Sequence, residues 1–327
     1  MKKNSRLMNY GKVLLFPIAA YILAELVSSV FAGKHIFETQ IDVNNFIRNI
    51  CISTISAYAL AINMTSGRMD LSLGSQQLIG CLIGGNIALK LGWGPFGILG
   101  LSMLVGIVSG ILVGGLFVIF KLPSFVLGIG VALLFESLAV AYSTAGFQLY
   151  GVAGAGLLSE TWFVLVIAVI IVILYYCVMQ FTGFGLQYNC IRGSQRVALN
   201  SGINVTGNVM ICYAIAGGLI ALAGVLQTGY QGYMSPALNM TSTTMAFTGF
   251  VPIFLALFLQ GMCPLSIGIP VAVIVFRLIS MTLMKFSLAS EASTCIIMGI
   301  LLLMMVVSGL LRERGIRKVL KLRSMEA

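Results

Sequence analysis

Charge is scarce in this sequence. Its 327 residues carry 19 Lys and Arg, 9 Asp and Glu and one His, against a hydrophobic content of 59%. Water-soluble domains are about a quarter charged, so composition argues against a large soluble domain. The lone histidine, His35, sits in a predicted loop, and no paired carboxylates or metal-ligand cluster stand out, which speaks against an enzyme. The cysteines, at 51, 81, 177, 190, 212, 263 and 295, have no C-x-x-C spacing. Most fall in apolar runs, where Cys behaves as a small hydrophobe, so neither a disulfide framework nor a metal site follows. A G-x-x-x-x-G-K-[ST] phosphate loop is also missing, which leaves any use of ATP to another chain. Proline is rare, 7 against 37 glycines, a balance that suits close helix–helix contact within a membrane.

What is present is apolar sequence. Mean hydropathy is +1.04, and several runs approach or exceed the roughly 20 residues that span a bilayer as helix. Hydropathy predicts about ten transmembrane helices, near 13–32, 45–64, 73–89, 96–120, 124–142, 162–181, 207–229, 241–259, 264–284 and 289–311. The start resembles a signal sequence, with Val30-Phe31-Ala32 as a passable cleavage site. The apolar run from Val13 to Ala32 exceeds the roughly 7–15 residues of a signal core, so it reads as a retained first helix. An even number of spans puts both termini on one side. Lys2, Lys3, Arg6 and Lys12 at one end, and Arg312, Arg314, Arg317, Lys318, Lys321 and Arg323 at the other, predict that side to be cytoplasmic. Arg68, Lys121, Arg192 and Arg196 fall with them; Lys34, Lys90 and Lys285 fall opposite, with Arg48 near the outer end of the second helix. The net charge of +10 thus follows membrane orientation and suits acidic lipid heads; nucleic acid is not an expected partner. The expectation is one all-α transmembrane domain over 1–327, its longest non-apolar stretches at 182–206 inside and 143–161 outside.

Between the second and third helices the chain reads N-M-T-S-G-R-M-D-L-S-L-G-S over 63–75, a polar stretch that needs cover from protein or water near lipid. Gly67 allows a turn, and Asp70 or Ser72 can cap the helix beginning near Leu71. The run that follows is short and interrupted by Gly80, Gly84 and Gly85. Two readings stand: part of a transport pathway, which short broken helices mark, or a well-capped turn.

S-G-R-M-D-L-S-L-G-S, with Ser66, Gly67, Asp70, Leu71, Ser72, Gly74 and Ser75 matching, resembles the S-G-G-I-D-L-S-V-G-S signature of permeases in ribose and related sugar ABC importers. These form a wider group with the branched-chain amino-acid permeases. A second stretch, T-G-F-G-L-Q-Y-N-C-I-R-G-S-Q-R-V-A-L-N-S-G-I-N-V, is similar to the group's cytoplasmic segment at Gly185, Gly193, Ser201, Gly202, Ile203, Asn204 and Val205, and A-G-G-L-I-A-L-A-G-V-L over 216–226 resembles its next helix. Arg68 replaces a glycine, Ser194-Gln195-Arg196-Val197 replaces N-E-A-A, and a later Gly-rich segment is eroded, so the chain looks like a divergent member. The resemblance implies a non-enzymatic subunit of a bacterial-type cell membrane. It would pair with a second permease chain, identical or related, with cytoplasmic ATP-binding subunits and with an extracytoplasmic solute-binding protein. No cofactor is expected on this chain; ATP and magnesium belong to the ATPase. The implied solute is a monosaccharide or related polyol, with a nucleoside or amino acid inside the wider group.

The segment 182–206 is the implied ATPase-coupling loop, with Arg192, Gly193, Ser194, Gln195, Arg196, Val197, Ser201 and Gly202 as its residues. Ser194 can cap a short helix from Gln195 to about Asn200 and Gly202 can end it; such an amphipathic helix suits docking in a partner's groove. Substrate-pathway candidates are Asn63, Ser66, Asp70, Ser72, Glu136 and Glu291, since ionisable groups within spans usually face protein or water. Glu25 and Arg277 also fall in or near spans, and a structural pairing of an acid with Arg277 is the competing expectation. Asn239-Met240-Thr241-Ser242 repeats Asn63-Met64-Thr65-Ser66, which fits two weakly related inverted halves. Trp162, Tyr230 and Tyr233 lie near predicted outer ends, as interfacial anchors do. The alternative function is an ion-gradient-driven secondary transporter using Glu136 or Glu291.

Overall fold

A computed structural model describes residues 2–286, apart from 153, 237 and 261, together with Ile296 and Gly299. Apart from those two residues, the predicted tenth helix lies outside the described residues, as does Glu291. The helices in chain order are α1 (Lys2–Val27), α2 (Gln40–Met64), α3 (Leu73–Ile79), α4 (Asn86–Lys90), α5 (Pro95–Phe120), α6 (Ser124–Tyr142), α7 (Thr161–Phe181), α8 (Gly183–Gly193), α9 (Gln195–Asn200), α10 (Val205–Gln231), α11 (Thr241–Leu259) and α12 (Leu265–Lys285). Seven of them, α2, α5, α6, α7, α10, α11 and α12, are long and apolar enough to cross a membrane. The protein is an all-helical membrane protein with one small exception: β1 (Phe147–Gln148) pairs antiparallel with β2 (Tyr233–Met234).

The count of ten is not reached among the described residues. The first expected span is α1 extended by one π turn, Ser28–Ala32, with a shorter apolar stretch over Leu15–Phe31. The third is α3 and α4 joined through a π segment, Gly80–Gly85, the kind of local widening that marks functional helices. Its glycines are contact points: a Cβ on Gly80 would come within 2.5 Å of the Ala221 Cβ and one on Gly84 within 2.4 Å of the Ser102 Cα.

Helix ends follow local chemistry. Thr39 and Asp42 form a capping box on α2, which starts it several residues earlier than hydropathy alone indicates. Pro95 opens α5, and Lys121 closes it in a left-handed conformation. The centre of the bundle is α10 packed on α5 and α2. The apolar windows of α10 and α2 are 78% and 61% buried, while those of α5 and α7 are only 28% buried. Helices apolar all round but half exposed are what a lipid solvent permits. The α5–α10 crossing is glycine on glycine: a Cβ on Gly217 would stand 2.1 Å from the Gly106 carbonyl oxygen, and one on Gly106 2.3 Å from that of Gly217. Backbones that close are the small-residue packing of membrane helices.

Candidate functional site

The stretch 63–75 folds as a turn between α2 and α3, with Gly67 in the left-handed region at φ 80. Asn63 carries the turn on its backbone: its carbonyl accepts from the Ser66 and Arg68 amides at 3.2 and 3.0 Å. Asp70 Oδ1 accepts from the Ser72 amide at 2.9 Å and the Ser72 hydroxyl at 2.6 Å. Gln76 Nε2 donates to Ser72 Oγ at 2.9 Å. Of the two expected caps, Asp70 holds the helix entrance, while Ser72 caps nothing with its side chain and serves as the link to Gln76. The α3 helix begins at Leu73, where hydropathy places the start of the third span.

The turn is sealed. Asn63, Asp70 and Ser72 are buried, as is Arg68, and Arg68 donates to Ser66 Oγ at 2.7 Å. Several polar atoms here are buried without a protein partner among the described residues: both amide atoms of Asn63, Arg68 Nε, Asp70 Oδ2 and Gln76 Oε1, with Asn208 Nδ2 on α10. Unpaired buried groups of this kind cost about 1–3 kcal/mol each and are rare in a merely structural turn. Neighbouring helices fit closely around it. A Cβ on Gly128 of α6 would lie 2.8 Å from the Leu71 amide nitrogen, and one on Gly217 2.9 Å from Gln76 Oε1.

The segment 182–206 forms two helices where one was expected. The α9 helix runs over Gln195–Asn200 as its sequence indicates, with Ser194 Oγ accepting from the Val197 amide at 3.5 Å and Gly202 left-handed at φ 77. Its Val197 and Leu199 are 63% and 55% exposed. Before it, α8 is capped by Thr182, whose Oγ1 accepts from the Gly185 amide at 3.3 Å. Gly185 makes the α7–α8 corner possible, since a Cβ there would stand 2.3 Å from the Met179 carbonyl oxygen.

Tyr188 of α8 joins the two sequence motifs. Its hydroxyl donates to the Ile62 carbonyl at 3.0 Å and shares a short hydrogen bond with Thr65 Oγ1. Burial raises this phenol to about 12, so it stays a neutral hydroxyl at physiological pH. The sequence alone did not reveal Tyr188 because a tyrosine in a polar loop carries no periodic signal; the threonine cap at Thr182 was the available clue to the helix that carries it.

Glu136 stands apart from the turn. It is fully buried on α6 and reaches the start of α11, where Oε2 accepts from the Met240 amide at 2.9 Å and Oε1 from the Ser242 amide and hydroxyl at 2.8 and 2.5 Å. Asn239 and Met240 are left-handed, at φ 65 and 63. The end of α6 at Tyr142 is six residues beyond Glu136, roughly 9 Å at helical rise, so the carboxylate that caps α11 comes from the body of α6 and not from its end. The repeated tetrapeptide adopts two conformations: Asn63 ends a helix, whereas Asn239 precedes one in the left-handed region. The expected acid–arginine pairing is not formed by Glu136 or Glu25. Arg277 bonds the Ser53 hydroxyl, through Nε at 2.9 Å and through its terminal nitrogen. Glu25 bonds His35 Nδ1 at 2.6 Å and accepts from the Ile36 amide at 3.1 Å. At the end of the bundle opposite α9, Arg48 lies over the Tyr230 ring at 5.6 Å and donates to Thr161 Oγ1 at 2.8 Å.

Comparison with known proteins fits this architecture. Residues 43–306 match the family described as "Branched-chain amino acid transport system / permease component". The fructose import permease protein FrcC of Rhizobium meliloti is 24% identical over 257 residues, 73% of this chain and 71% of that protein. The autoinducer 2 import system permease protein LsrD of Escherichia coli (strain K12) is 30% identical over 246 residues, 70% of this chain and 74% of that protein. In fold, the chain is similar to a solved ABC transporter assigned to the metal-chelate type, in an inward-facing conformation, with a TM-score of 0.52 at 14% identity, covering 91% of this chain and 99% of the other. These matches support the ATP-driven expectation over the ion-gradient one. The chain therefore belongs to the branched-chain amino acid transport system permease family, as a non-catalytic, multi-pass membrane subunit of an ABC importer for a small solute.

Proposed function

We propose that this subunit translocates a monosaccharide or related polyol, with both termini and the α8–α9 segment in the cytoplasm. The carrying observation is the Tyr188 contact: one side chain of α8 bonds the α2 backbone beside the polar turn. Movement imposed on α8 and α9 by an ATPase is thereby delivered to the 63–75 turn and its unpaired polar groups. The exposed Val197 and Leu199 on the short α9 helix suit a groove on that ATPase. Gln195 in place of an acidic residue favours a dedicated ATPase, which would hold the ATP and magnesium. Two permease chains, identical or related, enclose the pathway, lined at its inner end by Asn63, Ser66, Asp70 and Ser72. An extracytoplasmic binding protein delivers the solute. The two chain halves are read as an inverted pair. A polyol substrate is favoured by the relatives that import fructose and autoinducer 2.

The test is uptake of labelled sugars into vesicles bearing the permease, its ATPase and its binding protein. Sugar uptake that requires ATP and all three components is expected. Uptake of only amino acids or nucleosides would refute the substrate class, and uptake that proceeds without the ATPase would refute the coupling.

A further inference from the structure

Beside α8 lies a cavity of about 560 Å³ between the end of α7, α8 and the start of α12, within the roughly 300–1,000 Å³ of small-molecule sites. Tyr188 lines it and keeps the bonds described above, but much of the remaining polar lining is idle. Gln180, Asn189, Arg192 and Gln260 point no side-chain hydrogen bond at any described residue, and the Tyr175 hydroxyl is equally unengaged. The first turn of α12 also lines the cavity, and no side chain among the described residues caps its amides. Ser266, in that turn, is 3% exposed and its hydroxyl is buried without a partner. An uncapped helix N-terminus favours an anion, a guanidinium supplies a charge-assisted donor, and an orphaned buried hydroxyl calls for a ligand oxygen.

We propose that this cavity binds a phosphate-bearing polyol. The phosphate sits between Arg192 and the α12 N-terminus, within reach of Ser266 Oγ, and the amide side chains and Tyr175 take the hydroxyls. Such a group comes either from a glycerol phosphate in solution or from the headgroup of phosphatidylglycerol. Only the choice of a cytoplasmic source rests on the orientation proposed above; binding itself does not.

The test uses the purified full-length chain with neither ATPase nor transport, so its failure is separable from failure of the proposed function. The protein is titrated calorimetrically with sn-glycerol 3-phosphate. In a second arm, native mass spectrometry scores lipid retained after incubation with vesicles of phosphatidylglycerol and phosphatidylethanolamine. Saturable single-site binding of at least one probe is expected, and the arm that responds names the source. Arg192→Gln should weaken binding about tenfold or more, as loss of a charged hydrogen bond does, and Ser266→Ala several-fold. Arg196→Gln, an equal change of net charge on the exposed α9 helix, should leave it within about twofold, an electrostatic change expected to be small for a solvated charge. Should Arg192→Gln yield no folded protein, Ser266→Ala decides. Saturable binding of neither probe, or binding in both cavity variants equal to that of the native chain, overturns the proposal.

Discussion

Substituting Glu136 tests whether it is a structural cap or a carboxylate free for transport. It receives three hydrogen bonds from the start of α11, and hydrogen bonds to charged groups contribute about 1.5–3 kcal/mol each. In Glu136→Gln the carbonyl oxygen still accepts from the Ser242 amide and hydroxyl. The new amide NH2 then faces the Met240 N–H, donor against donor, and the favourable charge at a helix N-terminus, about 1–2 kcal/mol when partly buried, is removed. The expected loss is about 2–4 kcal/mol of stability. Glu136→Ala strands all three donors and should cost more, about 3–5 kcal/mol, as leaving several buried donors unsatisfied does. Thermal unfolding in detergent should order the proteins native above Gln above Ala, separated by several degrees. A Gln variant as stable as the native chain, or less stable than Ala, would refute the cap. A transport carboxylate would show the reverse pattern, with unchanged melting and altered uptake.

Tyr188→Phe keeps the ring and removes the bonds to Ile62 and Thr65; more ATP consumed per solute in reconstituted vesicles is expected, with a stability loss of only about 1 kcal/mol, and unchanged stoichiometry would sever the proposed link. Asp70→Ala removes the acceptor of two Ser72 bonds and should abolish uptake while membrane insertion persists; normal uptake would return the stretch to a simple turn. Gly217→Val forces apart backbones whose Cβ clearance is 2.1 Å and should cost at least about 1–3 kcal/mol, read as loss of monodisperse protein in detergent. Val197→Asp on exposed α9 should weaken co-purification of the ATPase without lowering the melting temperature of the permease alone.

Most helix bodies were legible because a bilayer imposes length and polarity on any segment that crosses it. The α6 and α11 helices run over 124–142 and 241–259 as hydropathy indicates. The α9 helix was equally legible, since a Ser cap and a left-handed glycine are local devices. Failures came where distant residues decide. The π segment at Gly80–Gly85 depends on close approach of Ala221 and Ser102. The early start of α2 has another cause: its Thr39–Asp42 capping box is local but lies outside the apolar run that hydropathy weighs. The repeated N-M-T-S tetrapeptide ends a helix once and precedes one once, because four residues do not set their own conformation against their surroundings.

Composition and periodicity determined that this chain lives in a membrane as helices, and two local motifs carried its resemblance to a permease family. Both rest on physics that acts within one segment: the transfer of apolar side chains to lipid, and the capping of a helix by its neighbours in sequence. Only the tertiary structure decided what the polar residues do. It made Glu136 the cap of a helix more than a hundred positions away, tied Tyr188 to the α2–α3 turn and left Gln180, Asn189, Arg192 and Gln260 around the cavity beside α8 without side-chain hydrogen bonds among the described residues. A buried polar group takes its role from whichever donor or acceptor reaches it, and in a folded bundle that partner is set by packing across the chain.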